Sequence, residues 1–469
     1  MASPNNWVKI LEVGQVSPAK KSGESPSGSL PLTFYDAFFF GFPPAERIYF
    51  YKLTASPSTF FYSQIVPGLK HALSQTLVHF LPLAGKLTWP PHSSKPVIVY
   101  APSDTVLLTI AESSADFTGL VSNEIREAAE LRQYIPELLV SDAMASIIAL
   151  QITLFPNKGF SIGIAMNHTA VDGKSASMFL KAWAHICKQS DNGKIIPLLP
   201  ELIPSFDRAS IEDAYGLEQF YLKGWRDTPV SDSESNQRSV KYVPSTLGVA
   251  PNLVRATFQL SRESIHKLRD NILNYHQHHV GLKCTQQLHL STVVVASSYL
   301  SVCLVKARGG DSKRRVYFVI AVDCRSRIDL SVPANYFGNC LYVLDRAVEA
   351  GTFMEANGVA VVAEKLSDSI KGLGKGVFEG AKERHAKLRD EVEEVQKIGI
   401  IGSPKFKYYE EDFGWGRPEK VEIVSIDRVN GVSLMDDKDG RGGIDIGLVL
   451  PAHEMKAFAS LFFQGLSVL

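Results

Sequence analysis

The sequence predicts an α/β protein built as a sandwich of two lobes of similar size. Three observations carry that expectation. The chain has 469 residues, more than one hydrophobic core of usual size encloses. Both halves mix strand-like and helix-like runs without strict βαβ alternation. Between them, from about Asp191 to Ser245, the pattern dissolves around Pro197, Pro200, Pro204, Pro229 and Pro244 and the polar tract Ser231 to Gln237, as a long crossover does. The expected units are therefore an N-terminal lobe over 1–190, a crossover over 191–245 and a C-terminal lobe over 246–469.

Residues 1 to about 30 are polar apart from a strand-like Trp7 to Leu11. Phe34 to Phe40 is an aromatic cluster, and Arg47 to Leu53 reads as a strand. From Phe60 to Phe80, Ile65, Leu69, Leu73, Leu77 and Phe80 recur at helical spacing, and Pro82 to Leu87 makes the turn that ends it. Pro96–Tyr100, Val106–Ile110, Ile147–Phe155 and Gly159–Met166 read as strands. Gly173 to Lys188 carries Phe179, Leu180, Trp183, Ile186 and Cys187 on one face of an amphipathic helix. A short helix near Tyr215 to Trp225 interrupts the crossover.

The second half restarts with a strand, Val254 to Leu260, and a helix capped by Ser261 and running to about Asn274. Ser291 opens a long buried helix through Val305. Strands are expected at Arg315–Val322, Leu341–Asp345, Ile398–Ile401, Val421–Ser425, Val432–Met435 and Ile444–Leu450. Helices are expected at Phe353–Gly372 and Ala452–Leu466, and the highly charged Gly380 to Gln396 reads as an exposed helix.

Forty-nine basic and 49 acidic residues balance to a formal charge of zero, which supplies no field for nucleic acid or an anionic membrane. Cys187, Cys284, Cys303, Cys324 and Cys340 are odd in number and show no C-x-x-C spacing; that argues against a disulfide framework or zinc ribbon and for a reducing, cytoplasmic setting. Met1 to Trp7 lacks the charged and apolar regions of a secretory signal, and the apolar runs are too short to span a bilayer. There is no G-x-S-x-G elbow and no H-E-x-x-H or other clustered metal spacing. Gly173-Lys174-Ser175 resembles the tail of a P-loop, but His168 stands where its first glycine belongs. Gly440 to Gly443 is expected to be a hairpin turn.

The apolar run Phe160 to Met166 leads to His168, four residues before Asp172 and Gly173. A histidine at the tip of a strand is placed as a general base would be; a His and an Asp that cap a turn and a helix are the plainer reading. Far downstream lies Asp412-Phe413-Gly414-Trp415-Gly416, and between them Tyr336-Phe337-Gly338-Asn339-Cys340, shortly after Arg325. The three motifs, in this order and over essentially the whole chain, closely resemble the plant BAHD acyl-CoA-dependent acyltransferases, whose marks are H-x-x-x-D-G and D-F-G-W-G. The Y-F-G-N-C motif resembles the clade that acts on anthocyanins and other flavonoid or phenolic glucosides, many with malonyl-CoA.

The resemblance implies two chloramphenicol-acetyltransferase-like lobes joined by a crossover loop, with the active-site channel between them. It implies an O-acyltransferase, acyl-CoA (malonyl-CoA first) as co-substrate and no tightly bound cofactor or metal. The expected partners are small molecules alone, the acyl-CoA and a phenolic glucoside, with no nucleic acid and no membrane, and the chain is expected to be a monomer. A hydroxycinnamoyl-CoA donor on anthocyanin glucosides is the nearest alternative, and a non-catalytic binding protein of the same fold the remote one. A sugar hydroxyl needs a base, and an imidazole of pKa about 6.5 suits that task, so His168 is the expected catalytic group. No covalent acyl-enzyme is required, and Cys324 and Cys340 read as buried structural thiols. The resemblance makes Asp172 a brace paired with an arginine, for which Arg325 is the candidate. It sets Gly173, Gly414, Trp415 and Gly416 as structural and Asp412 as a supporting group. Candidates for the donor's phosphates are Ser291 and Thr292 at a helix start, with Ser403 and Lys405; each equally reads as a cap or a solvated surface residue. Arg47 or Lys174 is expected to meet the malonyl carboxylate.

Overall fold

The computed structural model describes residues 7–20, 27–53, 58–189, 196–227, 238–242, 252–279, 288–326, 332–373, 376–390, 395–429 and 431–469, with backbone only for 387–390. Parts of the expected crossover (191–195, 228–237 and 243–245) and Cys284 lie outside the described residues.

A six-stranded sheet runs in the order Val8–Val16, Val106–Ser113, Ile148–Phe155, Gly159–Met166, Ala45–Lys52, Lys420–Ile423. Every residue of Ile148–Phe155 and Gly159–Met166 is buried, so these strands are covered on both faces and read as continuous apolar runs. A seven-stranded sheet runs Leu341–Glu349, Arg315–Asp323, Gln396–Ile401, Gly431–Asp436, Ile444–Pro451, Leu253–Leu260, Arg126–Glu127. Gly28–Pro31, Val97–Tyr100, Lys86–Thr88 and Met144–Ser146 form a small four-stranded sheet. The sheets exchange strands across the chain's midpoint: Lys420–Ile423 closes the first sheet beside Ala45–Lys52, and Arg126–Glu127 edges the second. Buried polar groups join them further. Arg255 bonds to Glu422 at 2.9 Å and to the Ile423 and Val424 carbonyls, and Lys420 bonds to Thr257 at 2.8 Å.

The helix Gly173–Gln189 packs its apolar face into the larger core, with Trp183 fully buried and donating to the Leu69 carbonyl at 3.1 Å. Thr292–Arg308 is buried from Val294 through Val305. Small residues such as Ala296, Ser297 and Ser301 let it lie among the helices Ala452–Ser467, Gly358–Lys371 and Ala350–Met354.

Several expected elements differ. The helix over 60–80 contains a π-turn at Phe61–Ile65 before Val66–Leu77, where Pro67 withholds a backbone donor. Phe353–Gly372 divides into Ala350–Met354 and Gly358–Lys371, broken at Asn357-Gly358, a turn-favouring pair. The charged segment forms a helix over Ala381–Asp390 that is not simply exposed. Ala381 is buried, and the His385 ring packs on Phe38, Phe220 and Tyr221. Residues 391–394 lie outside the described residues.

Gly163 sits mid-strand where a Cβ would overlap the Tyr134 carbonyl. Gly163→Ala is expected to destabilise the protein by about 1–3 kcal/mol through overpacking, read as a lowered melting temperature; an unchanged one would refute this close approach.

Candidate active site

The strand Gly159–Met166 ends two residues before His168. Asn167 anchors the exit: its N–H donates to the Ile147 carbonyl at 2.8 Å, its Oδ1 accepts from Thr169 N at 3.0 Å, and its carbonyl accepts from Ala170 N at 3.0 Å. The result is an Asx-stapled turn with His168 at its tip. The imidazole stacks on Phe39, ring centroids 4.2 Å apart and planes 10° from parallel, with Phe42 6.3 Å away. Nδ1 is buried with no hydrogen bond of good geometry among the described residues. Burial pushes the His168 pKa below its ordinary value, and Arg47 adds to this; the residue's own carbonyl, Asp172 and Asn339 oppose it. The ring is therefore neutral near pH 7, the state a general base needs.

Asp172 unites the capping and bracing readings. Its Oδ1 accepts from Ser175 N at 2.8 Å, capping the helix Gly173–Gln189. Its Oδ2 pairs with Arg325 Nη1 at 2.8 Å and accepts from Cys340 N at 3.2 Å. Arg325 also holds Asp323 Oδ1 at 2.9 Å and the Tyr336 and Gly338 carbonyls at 3.2 and 2.9 Å. The H-x-x-x-D-G loop is thus fastened to the Y-F-G-N-C segment by a pair whose side chains are 1% and 0% exposed.

Two further residues complete the loop's setting, and the sequence reading did not single them out. Asn339 and Asp36 are both fully buried. Asn339 Nδ2 donates to Asp36 Oδ1 at 3.0 Å and to the His168 and Thr169 carbonyls at 2.9 and 3.1 Å. The only sequence signals were the Y-F-G-N-C motif itself and an aspartate inside an otherwise aromatic run.

The D-F-G-W-G segment lies behind the strand and helix that carry His168. Asp412 Oδ1 accepts from Gly414 N at 2.8 Å and Gly416 N at 3.0 Å, while its Oδ2 pairs with Lys188 at 2.6 Å. Both glycines have positive φ, +106° and +99°, which a side chain resists. Phe413 packs between Trp183 and Tyr51, and Trp415 meets Phe160 edge-on and lies against Gly68.

The remaining candidates separate. Arg47 is buried on the strand Ala45–Lys52. It reaches Ser177 Oγ at 3.3 Å and the Gly173 carbonyl at 3.4 Å, lies over the Tyr408 ring, and makes no ion pair among the described residues. Burial pushes the nearby Glu411 carboxyl well above its ordinary value against the pull of Lys181 and Arg47, so it is a weak counter-ion. Lys174 is half-exposed and paired with Asp323 at 3.3 Å. Ser403 caps a short turn through Lys405 N at 3.3 Å, Lys405 is exposed, and the adjoining Phe406 ring lies against Gly173. Ser291 caps its helix through Val294 N at 3.3 Å; among the described residues, neither it nor Thr292 bonds to the His168 loop. No metal-holding cluster of His, Cys, Asp and Glu occurs among the described residues.

Fold and site together define an acyltransferase of the two-lobed kind. The structure resembles that of vinorine synthase with a TM-score of 0.67 at 22% identity, over 97% of this chain and 98% of the other, a likeness that speaks to fold alone. Residues 8–464 match the family model described as Transferase family. The chain belongs to this family, the BAHD acyl-CoA-dependent acyltransferases, with acyl-CoA as co-substrate. Among its relatives in Arabidopsis thaliana are phenolic glucoside malonyltransferase 1 (41% identical over 98% of both chains) and malonyl-CoA:anthocyanidin 5-O-glucoside-6''-O-malonyltransferase (39%, over 99% of this chain and 100% of the other). Agmatine coumaroyltransferase of the same plant is 37% identical over 97% of this chain and 99% of the other.

Proposed function

We propose that this enzyme transfers malonyl from malonyl-CoA to a sugar hydroxyl of a phenolic, flavonoid or anthocyanin glucoside. His168 takes the hydroxyl proton as the oxygen attacks the thioester carbonyl, then returns it to the departing CoA sulfur; no acyl-enzyme forms. The observation that carries this reading is a neutral imidazole set beside a buried guanidinium that makes no ion pair among the described residues. A malonyl thioester brings a carbonyl for the first and a carboxylate for the second. The relatives named for malonyl transfer support the same donor. Asp172, Arg325 and Gly173 shape the loop, and Asp412 with Gly414, Trp415 and Gly416 supports it from behind. Ser291, Thr292, Ser403 and Lys405 are the proposed contacts of the CoA arm. A recess of about 50 Å³ lined by Phe34, Phe38, Tyr221, Phe378, Arg384 and His385 offers an aromatic wall for the planar aglycone. It begins one residue from Phe39, which stacks on His168.

The division into lobes at 190 and 246 belongs to this proposal, supported by the two large sheets. So does a monomer acting in the cytoplasm, supported by buried free thiols at Cys187, Cys303, Cys324 and Cys340; among the described residues no helix is long and apolar enough to cross a membrane. Incubation with malonyl-, acetyl- and coumaroyl-CoA and a panel of phenolic glucosides, read by product mass, tests the whole. Coumaroyl transfer without malonyl transfer would reverse the donor assignment, an outcome the coumaroyltransferase relative makes worth measuring.

Arg47 and Lys174 are separated by donor comparison. Arg47→Ala is expected to lower kcat/KM for malonyl-CoA about ten- to a hundredfold, the worth of a charged hydrogen bond, and to leave acetyl-CoA within about threefold. Lys174, already paired with Asp323, is expected to affect both donors alike. Arg47→Lys, which keeps the charge, controls for folding. Equal losses for both donors in Arg47→Ala would remove the carboxylate role.

A further inference from the structure

The Asp36 carboxylate and the Asn339 amide, 303 positions apart, form a buried clamp around the backbone that carries His168. Asn339 offers its own N–H and its Nδ2 to Asp36 Oδ1, both at 3.0 Å. The same Nδ2 serves the His168 carbonyl at 2.9 Å and the Thr169 carbonyl at 3.1 Å. Asp36 Oδ2 in turn accepts from Thr33 N at 2.9 Å and Thr33 Oγ1 at 3.0 Å, closing a capping box on the helix Phe34–Phe38. That helix leads directly into Phe39, whose ring stacks on His168 and whose carbonyl accepts from Thr169 Oγ1 at 3.4 Å. The clamp therefore fixes both the peptide from which the imidazole hangs and the aromatic wall it lies on.

One atom of the clamp has no use within it. Among the described residues, Asn339 Oδ1 and His168 Nδ1 are both buried without a hydrogen bond of good geometry. An amide oxygen only accepts, and a neutral imidazole carries its proton on one of its two nitrogens. The residue's own carbonyl, which can reach only Nδ1, and the Asn339 side chain both favour the protonated ring, and acceptors so placed favour the tautomer with the proton on Nδ1. That tautomer leaves the Nε2 lone pair free for the substrate.

We propose that Asn339, anchored by Asp36, is a positioning residue for the reaction: it holds the His168 and Thr169 carbonyls and faces Nδ1, so that Nε2 is the basic nitrogen aimed at the acceptor hydroxyl. The proposal rests on His168 being the base. The stabilising influence of Asn339 on the imidazolium agrees with an accepting Oδ1. The charged groups that act on the ring are Asp172 on its own loop and Arg47 from the strand Ala45–Lys52, while Asp36 lies behind Asn339. All three stay in place when Asn339 alone is changed.

The test compares the full-length Asn339→Ala, Asn339→Ser, Asn339→Asp, Asp36→Asn/Asn339→Asp and His168→Ala variants for kcat, KM for malonyl-CoA, the pH profile of kcat/KM, and melting temperature. Asn339→Ala is expected to lose about ten- to a hundredfold in kcat, the scale of a small misplacement of a catalytic group, with KM within about threefold. The acid limb of its profile is expected to move to lower pH, because an influence that raises the His168 pKa has been removed. Asn339→Ser, which keeps one donor, is expected to fall between it and the parent and serves if the alanine variant does not fold. Asn339→Asp sets a carboxylate against three acceptors and is expected to be least active. The exchanged pair Asp36→Asn/Asn339→Asp restores the contact between the two side chains but not donation to the carbonyls, so its melting temperature is expected to recover while kcat stays low. A recovered kcat in the exchanged pair, a folded Asn339→Ala within threefold of the parent, or a fall in kcat with an unmoved acid limb would each overturn the positioning role. Inactive His168→Ala beside these results leaves the base assignment standing, whereas an active His168→Ala overturns the base reading itself.

Discussion

Replacing His168 with alanine is expected to lower kcat for malonyl transfer by about 10²- to 10⁴-fold, the range a general base supplies, while CoA binding measured by calorimetry stays close to that of the parent. The ring stacks on Phe39, and its loop is held by Asp172, Arg325 and Asn339 through carboxylate and backbone contacts that do not involve the imidazole. Truncation removes the proton acceptor and leaves the frame. The pH dependence has a definite sign. The base works only when neutral, so kcat/KM rises as pH passes upward through the His168 pKa. Burial, the largest influence, places that pKa below about 6.5. The acid limb should therefore have its midpoint below 6.5 and disappear in His168→Ala along with the activity. Turnover equal to the parent in that variant would contradict the mechanism, and an acid limb centred above 6.5 would contradict the environment described for the ring.

Much of this site was legible because its chemistry is local in sequence. His168, Asp172 and Gly173 lie within one turn, and the apolar run before them betrays a strand buried on both faces. The Arg325 partnership was also named, through resemblance rather than spacing. Asp36 and Asn339 stayed hidden because their bond joins positions 303 apart, and no periodicity records a contact of that range. Arg47 and Lys174 were indistinguishable as sequence, since both are cations near the motif. Only packing separates them, burying one without an ion pair among the described residues and leaving the other half-exposed beside Asp323. Long apolar elements were read well, whereas the four-stranded sheet was largely missed. All four of its strands span four residues or fewer, too short for an alternating pattern to register, and only Val97–Tyr100 stood out, because it is a continuous β-branched and aromatic run. The helix Ala381–Asp390 misled for the opposite reason: its charges suggest a solvated segment, while Ala381 and His385, with Arg384 beside them, cover an aromatic cluster.

Arg325→Ala is expected to be the most destabilising of the site variants, by about 3–5 kcal/mol, the cost of leaving a buried charge without its partner. The change abandons the Asp172 carboxylate to two backbone donors, Ser175 N and Cys340 N, and leaves the Tyr336 and Gly338 carbonyls without the guanidinium. Asp172→Asn is expected to cost less. Its side-chain oxygen can still cap the helix, and Arg325 keeps Asp323 at 2.9 Å together with the carbonyls. The double variant should then be more stable than the sum of the single losses implies, a coupling that thermal or urea unfolding measures. Acid behaviour separates the variants again. In the parent, burial pushes the Asp172 pKa up, but Arg325 and the Ser175 contacts outweigh it and hold the carboxyl below its ordinary value. Such a group stabilises the fold above its unfolded pKa, and that contribution is lost as pH falls through the folded one. Without Arg325, burial is the largest influence left, the folded pKa lies above the unfolded one, and the sign reverses: Arg325→Ala should lose stability as pH rises through the carboxylate range, where the parent gains it. Because the same pair fastens the loop bearing His168 to the segment bearing Asn339, activity should fall with stability in Arg325→Ala even at temperatures where the protein stays folded. A variant that melted like the parent, or that kept the parent's pH slope, would show that Asp172 is held by its backbone donors alone.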